Sequence, residues 1–450
     1  MALMVSISGV RGIVGESLTP EVAVRYASAF AEYSGRGRIV LGRDGRVTGG
    51  AVANIISSTL LSMGCDVIAL GVVPTPTVGL TVAMERAAGG ISVTASHNPM
   101  EWNGMKFIGP SGMFLDAPEN ARLGEILAGP PPRYVAWDGI GRHMKDGAAA
   151  GRHLEAVLSH PLVSQGEIRK RSFTIVADCI NAAGGVVVPE MLRRLGCTVI
   201  GMNTEMSGVF ARTPEPVPEN LTALCDAVKR HGADLGIAVD PDVDRLVFIT
   251  ERGEPFGEEY TVTAAVDYVL GALPGGSKKV VVNLSTTRAV EDVAARYGAT
   301  VERTPVGEIN VAGRMKAVGA VIGGEGSGGV IFPGLHYMRD AIAGIGLVLS
   351  ALARSGKTMS AFRASFPEYV IRKTSVRPGG KDTSALLDAV ASRLSADARC
   401  NREDGVKFDF PDGWVHLRRS NTEPIVRIIA EARTGAGADA LLERFRDELA

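Results

Sequence analysis

RIVLGRDGR (38–46) is a β-branched run ending in a polar turn; a helical pattern follows over about 50–63, and GCDVIALG (64–71) completes the unit. The same grammar returns as SFTIVADCINAAGG (172–185), a helix around 186–195 and GCTVIGMN (196–203). It appears a third time as KKVVVNLSTTRA (278–289), a helix to about 297 and GATVERTPVG (298–307). Each unit reads strand, polar turn, helix, glycine, second strand. Such crossovers build parallel sheets with helices on their faces. The first strands are nearly continuous apolar runs, as strands buried on both faces require.

Outward from these units, the polar stretches GRHMKDGAAAGRH (141–153) and ERGEPFGEE (251–259) divide three similar α/β domains with mixed sheets. After about 366 the pattern changes. KTSVRP, a helix over about 382–395, GVKFDF, WVHLRRS, IVRIIAEA and a terminal helix predict a smaller α+β domain on an antiparallel sheet. The expected division is 1–150, 151–251, 252–366 and 367–450. Two larger doubly wound domains with a tail are the alternative. A chain of 450 residues needs several cores in either case, since a single core stops growing near ~250–300 residues.

Apolar residues make up 46% of the chain and charged residues 22%, with a net charge of −1. No broad field draws such a chain to nucleic acid or an anionic membrane, so positive charge for an anionic substrate must be local. The five cysteines are scattered and none forms a C-x-x-C pair, which argues against structural zinc and a disulfide framework. MALMVSISGVRG does not read as a signal peptide, and no uncharged apolar run reaches the ~18 residues of a membrane span. A cytoplasmic protein is expected.

Four stretches carry chemistry. In VTASHNPMEWNGMK (93–106), Ser96 follows a strand on a tight loop, with His97 beside it and Lys106 able to neutralise an arriving phosphate. An ordinary turn with local side-chain bonds fits the same residues. In ADLGIAVDPDVDRLVFIT (233–250), Asp240, Asp242 and Asp244 alternate on one short loop, a hard-oxygen set suited to Mg²⁺ or Ca²⁺. An EF-hand fails because Arg245 stands where its sharp turn needs glycine and the flanks read as strands. A solvated acidic turn stays open. VIGGEGSGGVIF (321–332) places Glu325 and Ser327 among glycines, either a sugar-hydroxyl site or a plain turn. WVHLRRSNTEPIVRIIAEA (414–432) gathers Arg418, Ser420, Asn421, Thr422 and Arg427 about one turn, the donors a phosphate needs or a solvated basic hairpin.

TASHNP, DPDVDR, GEGSG and RRSNTEP occur in the order and approximate spacing of the α-D-phosphohexomutase family, which the chain resembles over its whole length. SGVRG (8–12), GRDGR (42–46) and TPVG (304–307) are similar to its minor motifs. The resemblance implies a four-domain enzyme that moves a phosphoryl group between the 1- and 6-positions of a hexose. Ser96 would carry the exchanged phosphoryl group and, with Asp240, Asp242 and Asp244, hold Mg²⁺. Arg11, His97, Lys106 and Arg245 would surround the transfer, with Arg11 and Lys106 handling protons. Glu325 and Ser327 would hold sugar hydroxyls; Arg418, Ser420, Asn421, Thr422 and Arg427 would grip the unreacting phosphate.

The resemblance also implies a hexose 1,6-bisphosphate activator, a hexose phosphate substrate, no nucleic-acid or membrane partner, and a monomer or homodimer. Exclusion of water during transfer implies closure of the fourth domain. Glucosamine phosphate is the favoured substrate; broad phosphomannomutase/phosphoglucomutase specificity is the alternative. Some relatives have His at Gly329 and Lys near Ser285-Thr286, which opens the identity of the second proton-transfer group. His336 is a substitute to test, with Arg339 a further sugar-phosphate contact. A phosphatase would bring the zinc and His clusters missing here, and a non-catalytic sensor would have lost Ser96 or an Asp.

Overall fold

The computed structural model describes residues 3–275, 278–377, 379, 382–394, 398–419 and 425–449. The first sheet contains β1 (Met4–Ser6), β2 (Gly9–Ile13), β3 (Ile39–Arg43), β4 (Val67–Val72), β5 (Gly89–Val93), β6 (Trp102–Ile108) and β7 (His143–Lys145), in the order β1-β2-β6-β5-β3-β4-β7. The second has β8 (Thr174–Asp178), β9 (Thr198–Met202), β10 (Leu235–Val239) and β11 (Leu246–Thr250), ordered β11-β10-β8-β9. The third has β12 (Lys279–Asn283), β13 (Thr300–Thr304), β14 (Ile322–Glu325) and β15 (Gly329–Ile331), ordered β15-β14-β12-β13.

These orders share one unit. Its first strand is central, flanked in parallel by the second and third, and the fourth folds back antiparallel on the third. The repeat is therefore longer than the strand–helix–strand legible in sequence, and it ends in a hairpin. The turn of that hairpin holds Ser96 in the first unit, Asp240, Asp242 and Asp244 in the second, and Gly326–Gly328 in the third. Three copies of one fold thus bring three kinds of chemistry to equivalent positions.

The fourth sheet is antiparallel throughout: β16 (Val370–Val376), β17 (Arg399–Asn401), β18 (Val406–Phe410), β19 (Gly413–Arg419) and β20 (Val426–Ala432), ordered β16-β20-β19-β18-β17. Helices Thr383–Leu394 and Gly435–Leu449 accompany it. The four-part architecture, three mixed α/β sheets and one α+β sheet, is the one expected. One detail differs: part of the stretch read as a divider is β7, which pairs in parallel with β4 and extends the first sheet.

The second and third sheets share a continuous apolar core. Helix Ala341–Ser355 runs through it, with AIAGIGLVLSALA buried on every side. Each fully buried Val, Leu or Ile contributes ~1.5–3 kcal/mol, so this helix stabilises the shared core. Asp340 caps it, accepting the Ile342 N–H at 2.8 Å. Backbone bonds then join the chemical loops across units: Thr75 N–H to the Asp242 carbonyl (2.9 Å), Leu246 N–H to that of Gly328 (3.0 Å) and Ala341 N–H to that of Val243 (3.1 Å). Arg288 docks the fourth unit by donating to the carbonyls of Phe410, Pro411 and Gly413. Among the described residues no helix is long and apolar enough to cross a membrane.

Candidate active site

Ser96 has φ +51°, a left-handed conformation that costs a non-glycine residue about 1–3 kcal/mol. A buried network enforces it. The Ser96 N–H donates to Thr94 Oγ1 (2.9 Å), and the Thr94 hydroxyl donates to Asp44 Oδ2 (2.7 Å). Arg46 pairs with the same carboxylate at 3.1 Å. Its remaining nitrogens donate to the carbonyls of Ser96 and Asn98 (both 2.7 Å), Pro99 (2.6 Å) and Trp102 (2.9 Å). Only a planar guanidinium offers that many fixed donors. GRDGR was legible as a motif, but the grip of Arg46 on the serine loop was not.

So held, Ser96 Oγ lies 3.4 Å from Asp240 Oδ2 and 3.4 Å from His97 Nδ1. His97 is pushed well below its usual pKa by burial, reinforced by the Arg245 and Arg11 guanidiniums, so the imidazole is neutral. Arg11 donates to Asn98 Oδ1 at 3.2 Å, and Arg245 to Glu215 at 2.8 Å.

Asp240, Asp242 and Asp244 are buried, with one carboxylate oxygen of each within 4.8 Å of the others. Asp240 Oδ1 accepts the N–H groups of Asp244 and Arg245 at 3.1 Å. Burial first, then repulsion by Asp244 and Asp242, raises Asp240 well above the carboxylate range. For Asp244, burial is outweighed by Arg339, Lys106 and Arg245, which hold it low. Lys106 Nζ bridges Asp242 (2.6 Å) and Asp244 (3.3 Å); against the cost of burial these carboxylates raise its pKa and keep it protonated. Oδ1 of Asp242 and of Asp244 are buried without any hydrogen-bond donor. Buried acceptors left bare in a hard-oxygen cluster fit a divalent cation. The triad can hold a metal.

Glu325 Oε1 accepts from Asn283 Nδ2 (2.8 Å) and the Gly307 N–H (2.9 Å), which gives TPVG its place. Arg339 joins this loop to the acidic one, its nitrogens reaching Glu325 (2.8 Å), Asp244 (2.7 Å) and Glu308 (3.0 Å). Each of its three nitrogens meets a carboxylate, so it bridges the two loops while lining the cleft. A Cβ on Gly329 would lie 2.2 Å from Arg339 Cδ, so the space of a side chain at 329 is taken by this arginine. His336 is engaged with Asp340. Its Nε2 donates to Asp340 at 3.0 Å and its Nδ1 accepts the Met338 N–H, and His153 donates to the same oxygen of Asp340. Both ring nitrogens are occupied, so His336 does not replace the missing proton-transfer group.

A cleft of about 570 Å³ is lined by Arg245, Glu325, Ser327, Arg339, Arg418 and Arg427, among others. Arg418 and Arg427 face each other directly across β19 and β20. Like charges at directly opposed positions are destabilising unless an anion lies between them. Arg418 Nε is 2.7 Å from Asp404 but is not aligned for a hydrogen bond, which makes the contact an ion pair only. Ser420, Asn421 and Thr422 lie outside the described residues. Sequence reasoning missed Glu259, a buried carboxyl in the cleft wall whose pKa burial pushes up to about 8, and the pairing of Ser285 with His416.

The chain matches four family descriptions in succession: phosphoglucomutase/phosphomannomutase α/β/α domain I over residues 4–130, domain II over 152–253, domain III over 257–369 and the C-terminal domain over 376–448. It is 38% identical over 442 residues to a Methanopyrus kandleri protein named "Probable phosphoglucosamine mutase", covering 98% of this chain and 96% of that one. A Thermococcus kodakarensis protein named phosphoglucomutase/phosphomannomutase is also 38% identical, with 97% and 96% coverage. The crystal structure of a phosphoglucomutase/phosphomannomutase family protein from Burkholderia thailandensis superposes with a TM-score of 0.83 at 26% identity, covering 99% of this chain and 98% of that one. With four matched units and full-length relatives, the chain belongs to the phosphoglucomutase/phosphomannomutase group of α-D-phosphohexomutases.

Proposed function

We propose that this phosphohexomutase works through a phosphorylated Ser96 and a hexose 1,6-bisphosphate, with glucosamine phosphate as its preferred substrate. The observation that carries the reading is the approach of Ser96 Oγ to within 3.4 Å of the buried acidic triad, across two equivalent hairpins. The phosphoryl group leaves Ser96 Oγ as the substrate hydroxyl bonds to phosphorus, and the hydroxyl proton passes to a base. His97, 3.4 Å from Ser96 Oγ, is the ring placed to accept it, and charging it there works against burial and the Arg245 and Arg11 guanidiniums. Lys106, held protonated, serves as a fixed cation for the transferring oxygens, and Arg11 and Arg245 add positive charge. Mg²⁺ held by Asp240, Asp242, Asp244 and Ser96 would neutralise charge on the phosphoryl oxygens.

The bisphosphate then turns over and returns its other phosphate to Ser96. Arg418 and Arg427, with Ser420, Asn421 and Thr422, hold the phosphate that is not reacting, and Glu325 and Ser327 hold sugar hydroxyls in either orientation. The fourth domain closes on the cleft to exclude water; identical scattering profiles with and without substrate would contradict closure. The same reading assigns 1–150 to the phosphoserine unit, 151–251 to the metal unit, 252–366 to the sugar unit and 367–450 to the phosphate unit. In support, among the described residues no sheet crosses these bounds, although helix Ala149–Leu158 spans the first of them.

Glucosamine use rests on the naming of the Methanopyrus relative, and the equal identity of the Thermococcus protein favours a second reading, a broad hexose mutase. A coupled assay with Mg²⁺ and catalytic hexose bisphosphate compares the two. A tenfold preference in kcat/KM for glucosamine phosphate, about 1.4 kcal/mol, supports the first reading. Comparable rates with mannose and glucose phosphates support the second, and no turnover of any hexose phosphate overturns both.

A further inference from the structure

His416 on β19 is fully buried, and its Nε2 lies 2.6 Å from the Asp404 carbonyl oxygen. A carbonyl can only accept, so Nε2 carries the proton. Burial lowers the His416 pKa to about 4, which keeps the ring neutral at ordinary pH and leaves Nδ1 as a bare lone pair. Ser285 Oγ is 2.9 Å from that Nδ1. The serine therefore donates its single proton to His416, and its oxygen has only acceptor capacity left.

That oxygen belongs to the cleft. Ser285 follows β12 and lines the same space as Glu325, Ser327, Arg418 and Arg427. Asn283 fixes its distance from the sugar loop: Asn283 Oδ1 accepts the Ser285 N–H at 2.9 Å, while Asn283 Nδ2 donates to Glu325 Oε1 at 2.8 Å. Among the cations of the cleft, Arg339, Arg418 and Arg427, the wall thus keeps two acceptors: the Glu325 carboxylate, itself paired with Arg339, and a hydroxyl oxygen that cannot donate. A sugar hydroxyl both donates and accepts, but an ammonium only donates, and a charged donor makes the stronger bond. Because Ser285 is in the third unit and His416 in the fourth, the lock exists only while the two are docked.

We propose that Ser285 is a specificity-determining residue: held by His416 as a pure acceptor, it selects an aminosugar phosphate through that sugar's ammonium group. This rests on the mutase reading above and names the group that sets its substrate. The test uses the full-length enzyme with Mg²⁺ and hexose bisphosphate, measuring kcat/KM for glucosamine 6-phosphate and glucose 6-phosphate in wild type, Ser285→Ala and Ser285→Thr. Losing a hydrogen bond to a charged group predicts a fall of roughly tenfold in Ser285→Ala for the aminosugar. Glucose phosphate, whose hydroxyl makes only a neutral hydrogen bond to Ser285, should fall less, by about threefold, and Ser285→Thr, which keeps the hydroxyl, should restore the ratio. An equal fall for both sugars, or no change in either, overturns the assignment. Wild-type turnover of glucose phosphate alone overturns it too while leaving the mutase intact; a wild type inert on every hexose phosphate overturns the mutase reading itself.

Discussion

Arg339 Nη2 lies 2.7 Å from Asp244 Oδ2, while the same guanidinium reaches Glu325 and Glu308. One cation, 11% exposed, thereby joins the acidic loop of the second unit to the sugar loop of the third. It also explains why three carboxylates can be buried so close together.

Arg339→Met removes the cation that Glu325, Glu308 and Asp244 share, leaving Asp244 with Lys106 and Arg245 alone. Breaking such a buried pairing costs ~3–5 kcal/mol, so a markedly lower thermal midpoint is expected. Added Mg²⁺ should recover more of that loss than it adds to wild type, because Asp244 no longer shares its charge with Arg339. Thermal unfolding with and without the metal checks this, and an unchanged midpoint would contradict it.

Arg46→Lys should separate positioning from chemistry. Lysine has three donors on a flexible stem, too few for the Asp44 carboxylate and four loop carbonyls. We expect kcat to fall by ~10²-fold, the scale seen when reacting groups are misplaced by about an ångström. Mg²⁺ binding, measured by calorimetry, should weaken far less than kcat, since Arg46 touches none of the three aspartates and reaches the metal site only through Ser96.

Gly329→His restores the residue found in some relatives, yet loss of activity is expected. The new side chain must enter the space of Arg339 Cδ, 2.2 Å from its Cβ, and would push the arginine off Asp244 and Glu325. A faster enzyme after this substitution would show that Arg339 is dispensable.

Glu259 gives the protein a pH dependence. Its folded pKa, about 8, lies above the ordinary carboxylate value because the group is buried. The folded state therefore binds a proton that the unfolded state has released between about pH 4.5 and 8. Its contribution is complete below that window and is lost as pH rises through it. Glu259→Gln has no such loss, so the stability of the variant relative to wild type should climb across the window and level above it. Chemical denaturation at a series of pH values checks the sign; a constant difference would contradict it.

The four-part architecture was legible because RIVLG, TIVAD and KVVVN are apolar runs that must be buried on both faces, each followed by a turn and a helix. The third and fourth strands of each unit were not read as part of the repeat. GGISV, IGGE and GVI are short and glycine-rich, and register alone reveals their equivalence. Ser96, the aspartates and Glu325 stood out because reactive side chains cluster within a few residues of each other. The grip of Arg46 and the Ser285–His416 pair did not, and Arg339 was read only as a sugar-phosphate contact, since their partners lie tens of residues away or more and only tertiary structure pairs them.

The most direct test of the central claim is to incubate the protein with Mg²⁺ and labelled hexose 1,6-bisphosphate, locate the label by peptide mass spectrometry, and assay Ser96→Ala beside wild type. The account predicts one phosphoryl group on Ser96, none in the variant, and mutase activity lost with it. Full activity in Ser96→Ala, or label on a different residue, would contradict it.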